Sequence, residues 1–134
     1  MKQANYNRAK LQKALGQKFK DVSKNIFYTT RPNAVSESMN DFIIIRLPQG
    51  IEQWGDACQL AKGQVSLFAR DKNGGLENSP KLDAMLTDVI QLFSESGVMI
   101  DDFYTAWEVR LVGEGADDLG FHFLTIQFQI QIRL

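Results

Sequence analysis

The chain has 134 residues, of which 44% are hydrophobic and 23% charged, and its net charge is −1. These values exclude an intrinsically disordered segment and predict a single domain over residues 1–134. One cysteine, Cys58, and one histidine, His122, exclude an internal disulfide and a histidine-rich metal site. The start shows no secretory signal and the longest apolar run, Phe42–Ile45, is too short for a membrane span. We therefore expect an intracellular protein without a membrane partner.

Charge is distributed unevenly along the chain. Residues 1–31 hold eight basic residues and one acidic residue, a net +7, against seven basic and fifteen acidic residues in the remainder, a net −8. One interpretation is a solvated basic helix face. The other is a basic element that contacts an acidic surface of a neighbouring copy or a phosphate backbone. Because no exposed aromatic residues interleave with the basic ones, specific nucleic-acid recognition is not expected.

The first half of the chain predicts one helix followed by three strands. Leu11, Leu15 and Phe19 recur at helical spacing. The continuous apolar run at 42–45 predicts a strand that is covered on both faces. Pro48 to Gly50 predict the end of that strand, and Trp54 then falls in a polar loop. The predicted elements are a helix over Asn5–Lys20 and strands over Asn25–Thr30, Asp41–Leu47 and Cys58–Arg70.

The second half predicts a helix and a long hairpin. Ser79 is a suitable N-cap, Pro80 suits the first helical position, and an apolar stripe runs from Leu82 to Phe93. Gly97 predicts the end of this helix. The hairpin is predicted to consist of strands over Tyr104–Val112 and Phe121–Leu134, joined by an acidic, glycine-rich loop over Gly113–Gly120. Its second strand alternates almost perfectly and is far longer than a typical strand.

The resulting element order is α-β-β-β-α-β-β. It predicts an α+β fold, with an antiparallel sheet of about five strands and two main helices packed on one face.

The sequence holds no signature of catalysis, of a cofactor site or of a metal site. His122 begins the last strand, where a structural histidine is expected rather than a general base. The Gly113–Gly120 loop lacks the spacing of a dinucleotide fingerprint, and its carboxylates would repel phosphate. We therefore expect that the protein is not an enzyme and binds no cofactor.

A row of glutamines is the most unusual feature of the last strand. Gln127, Gln129 and Gln131 alternate with apolar residues, followed by Arg133. Neutral amides can form hydrogen bonds across a subunit contact with little desolvation of charge, although a solvated sheet face is the alternative. Trp54 is a second candidate contact, because tryptophan is enriched at the centres of interfaces. These five residues form the predicted subunit interface.

Element order and several segments together resemble the tail-completion, or tail terminator, proteins of long-tailed bacteriophages. The resemblance covers most of the chain and rests on pattern rather than on one diagnostic motif. The segments that carry it are Leu11–Leu15, Ile26–Tyr28, Gln64–Arg70, Leu82–Phe93 and Phe121–Phe128.

This resemblance implies a non-catalytic structural subunit that forms a ring, commonly a hexamer. Such a ring would end the tail tube or join it to the head connector, so the implied partners are other copies, tube proteins and connector proteins. The implied location is the cytoplasm during assembly and then the virion or a prophage-derived particle. The alternative is a monomeric or dimeric domain that binds a small molecule between the sheet and the second helix, near Trp107 and His122.

Overall fold

A computed structural model of the chain describes residues 8–28, 37–54, 58–93, 98–101, 104–117 and 119–133. These residues form two helices and six strands. The elements are α1 (Arg8–Phe19), β1 (Ile26–Tyr28), β2 (Asp41–Trp54), β3 (Cys58–Arg70), α2 (Ser79–Phe93), β4 (Val98–Asp101), β5 (Tyr104–Ala116) and β6 (Phe121–Arg133).

One sheet contains all six described strands, in the order β1-β2-β3-β6-β5-β4. The predicted α+β fold is confirmed, and the predicted element order is found with the short strand β4 added before β5. The sheet is mixed rather than purely antiparallel, because β1 pairs with β2 in parallel. Every other pairing is antiparallel.

Both helices contribute to one apolar core on the same face of the sheet. Leu11, Leu15 and Phe19 of α1 are fully buried, as their helical spacing predicts. The ring of Phe93 in α2 lies 5.9 Å from that of Phe19 and stacks on Phe128 of β6 at 5.3 Å. The strand residues of this core, which we call the helix-side core, are Ile43, Ile45, Leu47, Val65, Leu67, Ala69, Leu124, Ile126, Phe128 and Ile130.

Helix α2 begins one residue earlier than the sequence pattern indicates. The side-chain oxygen of Asn78, rather than that of Ser79, accepts the backbone N–H of Lys81 at 3.4 Å. The backbone oxygen of Asn78 accepts the N–H of Leu82 at 3.1 Å. Asn78 is therefore the N-cap, which shifts Pro80 to the second helical position. Gly97 lies outside the described residues.

Asp41 connects both helical segments to the start of β2. Its carboxylate accepts a hydrogen bond from the hydroxyl of Ser23 and forms an ion pair with Lys81 of α2 at 3.0 Å. Its backbone oxygen accepts the side-chain amide of Asn25 at 3.0 Å. The turn after α1, strand β2 and helix α2 therefore meet at one residue.

Strand β2 is twice as long as predicted. The predicted end of this strand at Pro48 to Gly50 is wrong. Register shifts occur between Arg46 and Gln49 and between Gln49 and Glu52, and pairing with β3 continues beyond them. A bulge tolerates the missing proline N–H while the ladder continues beyond it. Trp54 is thus the last residue of β2 rather than a loop residue, and its backbone pairs with Cys58.

Strand β5 also continues into a segment that was predicted as loop. Gly113 to Ala116 pair with β6, so the predicted eight-residue loop reduces to a tight turn. In that turn the Asp117 side chain accepts the N–H groups of Leu119 at 2.8 Å and Phe121 at 3.0 Å. Gly120 adopts a φ of 86°, which glycine accommodates without strain.

The central strands differ from their neighbours. β3 and β6 pair without a break from Cys58 with Arg133 to Arg70 with Phe121. Both β2 and β5, which flank this pair, contain two register shifts. Bulges bend strands and increase their twist, so the outer strands curve around a regular central pair.

Candidate functional site

The face of the sheet opposite the helices carries a second set of side chains, which we call the open face. Alternation along β2, β3 and β6 directs every second residue to this face. Ile44 is buried here while Ile43 and Ile45 lie in the helix-side core, so the prediction that this strand is covered on both faces is confirmed.

Aromatic residues fill the half of the open face nearest the β5–β6 turn. Phe42 is fully buried, and its ring stacks on that of Phe68 at 4.4 Å with 10° between the planes. It also meets the edge of Phe121 at 5.0 Å, and Phe68 contacts Phe123 at 5.0 Å. Such offset and edge-on arrangements are the favourable geometries for aromatic pairs. We call these four phenylalanines the aromatic half.

Arg70 borders the aromatic half at the end of β3. Its guanidinium lies 4.7 Å from the centroid of the Phe121 ring. Two of its nitrogens donate to the backbone oxygen of Met39, at 3.1 and 2.8 Å. The arginine therefore fixes the segment before β2 to the edge of the cluster, through charge-assisted hydrogen bonds and a cation–π contact.

The composition of the open face changes at the next row of the sheet. Ser66 and Thr125 are cross-strand partners, and their hydroxyl oxygens lie 2.9 Å apart. Ser66 is a buried polar residue, with 3% of its surface exposed. This hydrogen bond satisfies a polar pair at the boundary between the aromatic rows and the polar rows.

Beyond this boundary the open face carries amides and cations in register. Arg46 pairs with Gln64, Gln64 with Gln127, and Gln127 with Arg110, so one row crosses four strands. The guanidinium of Arg110 donates to the side-chain oxygen of Gln127 at 3.4 Å. The next row pairs Lys62 with Gln129. All three cations are exposed, and the glutamines are half-buried.

A shallow groove of about 210 Å³ follows these two rows. Its lining consists of Lys62, Val109, Arg110, Gln127, Phe128 and Gln129. Two cations and two amides around one depression can donate several hydrogen bonds to a carboxylate or a phosphate. We call this depression the basic groove.

The structure places the predicted interface residues between the middle of the sheet and the end far from the β5–β6 turn. Gln127, Gln129 and Gln131 lie on consecutive open-face positions of β6. Trp54 pairs with Cys58, and Cys58 pairs with Arg133, so all three belong to one transverse row. Because β6 lies between β3 and β5, its backbone edge is occupied and only its side-chain face is open to a partner.

Sequence reasoning missed the cations of the groove. Arg46, Lys62 and Arg110 lie on three different strands and meet only through the strand register. A register shift between Trp107 and Arg110 also interrupts the alternation of β5, and Val109 packs against the helix-side core. Neither the proximity of these three cations nor this register shift can be predicted before the pairing partners of the strands are known.

His122 lies at the far end of β6, next to the β5–β6 turn. Its Nδ1 atom is 2.5 Å from a carboxylate oxygen of Asp71. This hydrogen bond is the main cause of its raised pKa, and the charges of Asp71, Glu77 and Asp117 add to it. A histidine held by a carboxylate at a strand end agrees with the expected structural role.

Other classes of site find little support in the described part of the chain. No group of three or more histidine, cysteine, aspartate or glutamate side chains there is arranged to hold a metal ion. Between α2 and the sheet, where the alternative interpretation places a small-molecule pocket, the rings of Phe93 and Phe128 stack on each other. None of the described helices has the length and apolar character of a membrane span.

Comparisons with known proteins show a similarity of fold to solved structures. Neither a protein-family model nor the sequence of a curated protein matches the chain. A chain in the structure described as "Virion of native gene transfer agent (GTA) particle" is similar to it with a TM-score of 0.61. The match covers 92% of this chain and 95% of that chain, at 8% sequence identity. At this identity the comparison shows a shared fold.

Proposed function

We propose that the protein is a structural subunit of a phage-like particle. In this proposal it forms an oligomeric ring, such as a hexamer, that ends the tail tube or joins it to the head connector. The observation that carries the proposal is the near full-length fold similarity to a chain of a gene transfer agent virion. The sequence resemblance to tail-completion proteins points independently in the same direction.

The open face supports a binding role rather than a catalytic one. Its polar rows offer amide and cationic donors on a broad sheet surface. Surfaces of this kind suit contacts between proteins, where hydrogen bonds fix the register of the partners. The residues proposed at the subunit joint are the three glutamines of β6, together with Trp54 and Arg133.

Solution mass is the first test of this proposal. Light scattering across protein concentration and salt should give a whole-number multiple of the 15.2 kDa chain mass, and electron microscopy should show rings. A monomer under all conditions would contradict ring formation by the chain alone. If a small molecule then stabilised that monomer saturably, the alternative of a ligand-binding domain would replace it.

A triple substitution tests the glutamine row within the proposed joint. Gln127→Lys, Gln129→Lys and Gln131→Lys should leave the fold intact but prevent assembly, because three buried cations would face the partner. The matched control places lysines at exposed helix positions, with Gln17→Lys, Ala84→Lys and Thr87→Lys. If the triple variant is folded and assembles like the control, the glutamine face is not the joint.

The role in a particle needs a genetic test. Loss of the gene from a strain that produces the particle should leave tubes without a defined end, or heads and tails that remain unjoined. Electron microscopy of the released particles measures this outcome. Normal particles in the absence of the protein would overturn the proposed function.

A further inference from the structure

The charged side chains of the strands are sorted by sheet face. Strand side chains are described over 26–28, 41–47, 62–70, 109–116 and 121–131, and the two acids in these ranges lie on the helix side. Asp41 pairs with Ala69 and Glu114 pairs with Leu124, and both partners belong to the helix-side core. The lysines and arginines of the same ranges all lie on the open face, namely Arg46, Lys62, Arg70 and Arg110. The described part of the open face is therefore positively charged, although the whole chain has a net charge of −1.

Two of these cations hold donors that the protein itself does not use. Lys62 is exposed and forms no ion pair with a described residue. Arg110 donates to the side-chain oxygen of Gln127 at 3.4 Å, which leaves most of its five N–H groups for another acceptor. Arg70 differs, because its guanidinium is already bound to the backbone oxygen of Met39. Lys62 and Arg110, which line the basic groove, are thus available to a ligand.

The cations cover an area larger than one small anion. Arg46 and Arg110 lie at the two ends of a row that crosses β2, β3, β6 and β5, which is three inter-strand steps. At about 4.8 Å per step, their Cα atoms are roughly 14 Å apart. Lys62 lies in the next row, about 6.6 Å along the strands. Along one strand of duplex DNA the phosphates follow each other at about 3.4 Å of axis, so about four of them fit across this row.

The shape of this surface suits phosphates rather than base edges. The major groove of DNA admits a helix or a two-stranded ribbon. The cationic rows instead lie on the face of a six-stranded sheet, in which β6 has a neighbour on both sides. Arginine, lysine and glutamine side chains commonly contact phosphate oxygens, and such contacts carry no sequence information. A ligand held here would be recognised by its charge and by the spacing of its phosphates.

We propose that the basic groove and the row beside it bind the phosphate backbone of nucleic acid without sequence preference. Lys62 and Arg110 contact phosphate oxygens through charge-assisted hydrogen bonds, and the amides of Gln127 and Gln129 donate to neighbouring oxygens. This inference goes beyond the proposed ring and does not rest on it. Since Gln127 and Gln129 also belong to the proposed joint, nucleic acid binds copies whose open face is not covered by another subunit.

Fluorescence anisotropy with a short labelled DNA duplex tests the proposal. The wild-type protein should bind duplexes of unrelated sequence with equal affinity, and the affinity should fall as salt rises, because bound phosphates release their counterions. Lys62→Gln with Arg110→Gln removes two phosphate contacts, so the slope of log affinity against log salt should decrease in magnitude by about 2. Lys62→Arg with Arg110→Lys keeps both charges and should keep the wild-type slope.

A matched control separates the groove from net charge and from the basic start of the chain. Lys13→Gln with Lys18→Gln, at exposed positions of α1, lowers the net charge by the same amount and should keep the wild-type slope. Circular dichroism must show that every variant is folded, which we expect because all four substituted side chains are exposed. If the α1 variant loses as much affinity as the groove variant, net charge or the basic segment explains the binding and the proposal is overturned.

Competition identifies the kind of anion. Inorganic phosphate, at the same concentration of phosphate groups as the duplex, should displace little of it, because one phosphate contacts only part of the row. Full displacement by inorganic phosphate would assign the groove to a free anion and overturn the proposal. Tighter binding of a labelled polyglutamate peptide, lost in the groove variant, would assign it to an acidic protein segment with the same consequence.

The assembly state is measured separately by light scattering in the same buffers. If the wild-type protein binds no duplex at low salt, whether assembled or monomeric, the proposal is overturned and the proposed ring is unaffected. If the protein binds the duplex through Lys62 and Arg110 but never assembles, the proposal is supported while ring formation by the chain alone is contradicted.

Discussion

The two halves of the open face are formed by the same strands but carry different side chains. Near the β5–β6 turn, phenylalanines bury one another, and neither α1 nor α2 packs on this face. Beyond the Ser66–Thr125 pair, the same strands present arginine, lysine and glutamine to solvent. The helix-side core extends beneath both halves, so burial on that side does not account for the difference.

Under the proposed function, this contrast separates residues that stabilise the fold from residues that would bind a partner. The aromatic half removes large apolar surface from water, which stabilises the folded state. The polar half exposes the cations Arg46, Lys62 and Arg110, so less of its surface is removed from water on folding. Substitutions in the first half should therefore change the free energy of unfolding, and substitutions in the second should change assembly.

Phe42→Ala should have the largest effect on stability. The side chain is fully buried and contacts Phe68 and Phe121, so truncation leaves a cavity between rings. We expect a loss of about 3–5 kcal/mol in the free energy of unfolding, measured by urea denaturation. Leu76→Ala, at an exposed site, should change it by less than about 0.5 kcal/mol. A loss below about 1 kcal/mol for Phe42→Ala would show that the aromatic half is not part of the core.

Two glycines of β5 allow a matched test of where the aromatic half ends. A Cβ atom at Gly115 would lie 2.8 Å from the ring of Phe123, whereas one at Gly113 would meet Thr125 at an ordinary 3.9 Å. Gly115→Ala should therefore cost about 1–2 kcal/mol in thermal or urea unfolding, because the ring must shift. Gly113→Ala should change stability by less than about 0.5 kcal/mol. Equal effects would place the boundary elsewhere.

The smallest effect should come from His122, and it should depend on pH. The raised pKa of His122 means that its contact with Asp71 stabilises the fold fully below the ordinary value of 6.5. The stabilisation is lost as pH rises through the raised pKa. We expect urea midpoints of the wild-type protein to fall over this range, while those of His122→Asn change less. If the urea midpoints of both proteins fall equally with pH, the contact between His122 and Asp71 is not the cause of the pH dependence.

Elements with regular hydrophobic periodicity could be predicted from the sequence, whereas the full lengths of the strands with bulges could not. β3, α2 and β6 follow the alternation or helical spacing of their residues. Pro48 and Gly50 are reliable stop signals for an isolated strand, but pairing with the long β3 carries β2 past them. The glycines of 113–116 likewise indicated a loop, until pairing with β6 placed them in a strand.

The candidate site was predictable only in part, for the same reason. The glutamine row is visible because it lies along one strand. The cations of the basic groove come from β2, β3 and β5 and become neighbours through the register alone. The position of β6 in the centre of the sheet also depends on its two partners, which no local pattern specifies.

The unbroken pairing of β3 with β6 has a consequence for how the chain folds. Val65 and its partner Ile126 are distant in sequence, and the whole central ladder consists of such contacts. Ordering this ladder requires closing a long loop before most of the core can form. We therefore expect slow folding, in the range of milliseconds to seconds. Until β6 pairs, the edges of β3 and β5 that face it remain without hydrogen-bond partners, and the polar half of the open face is not yet assembled.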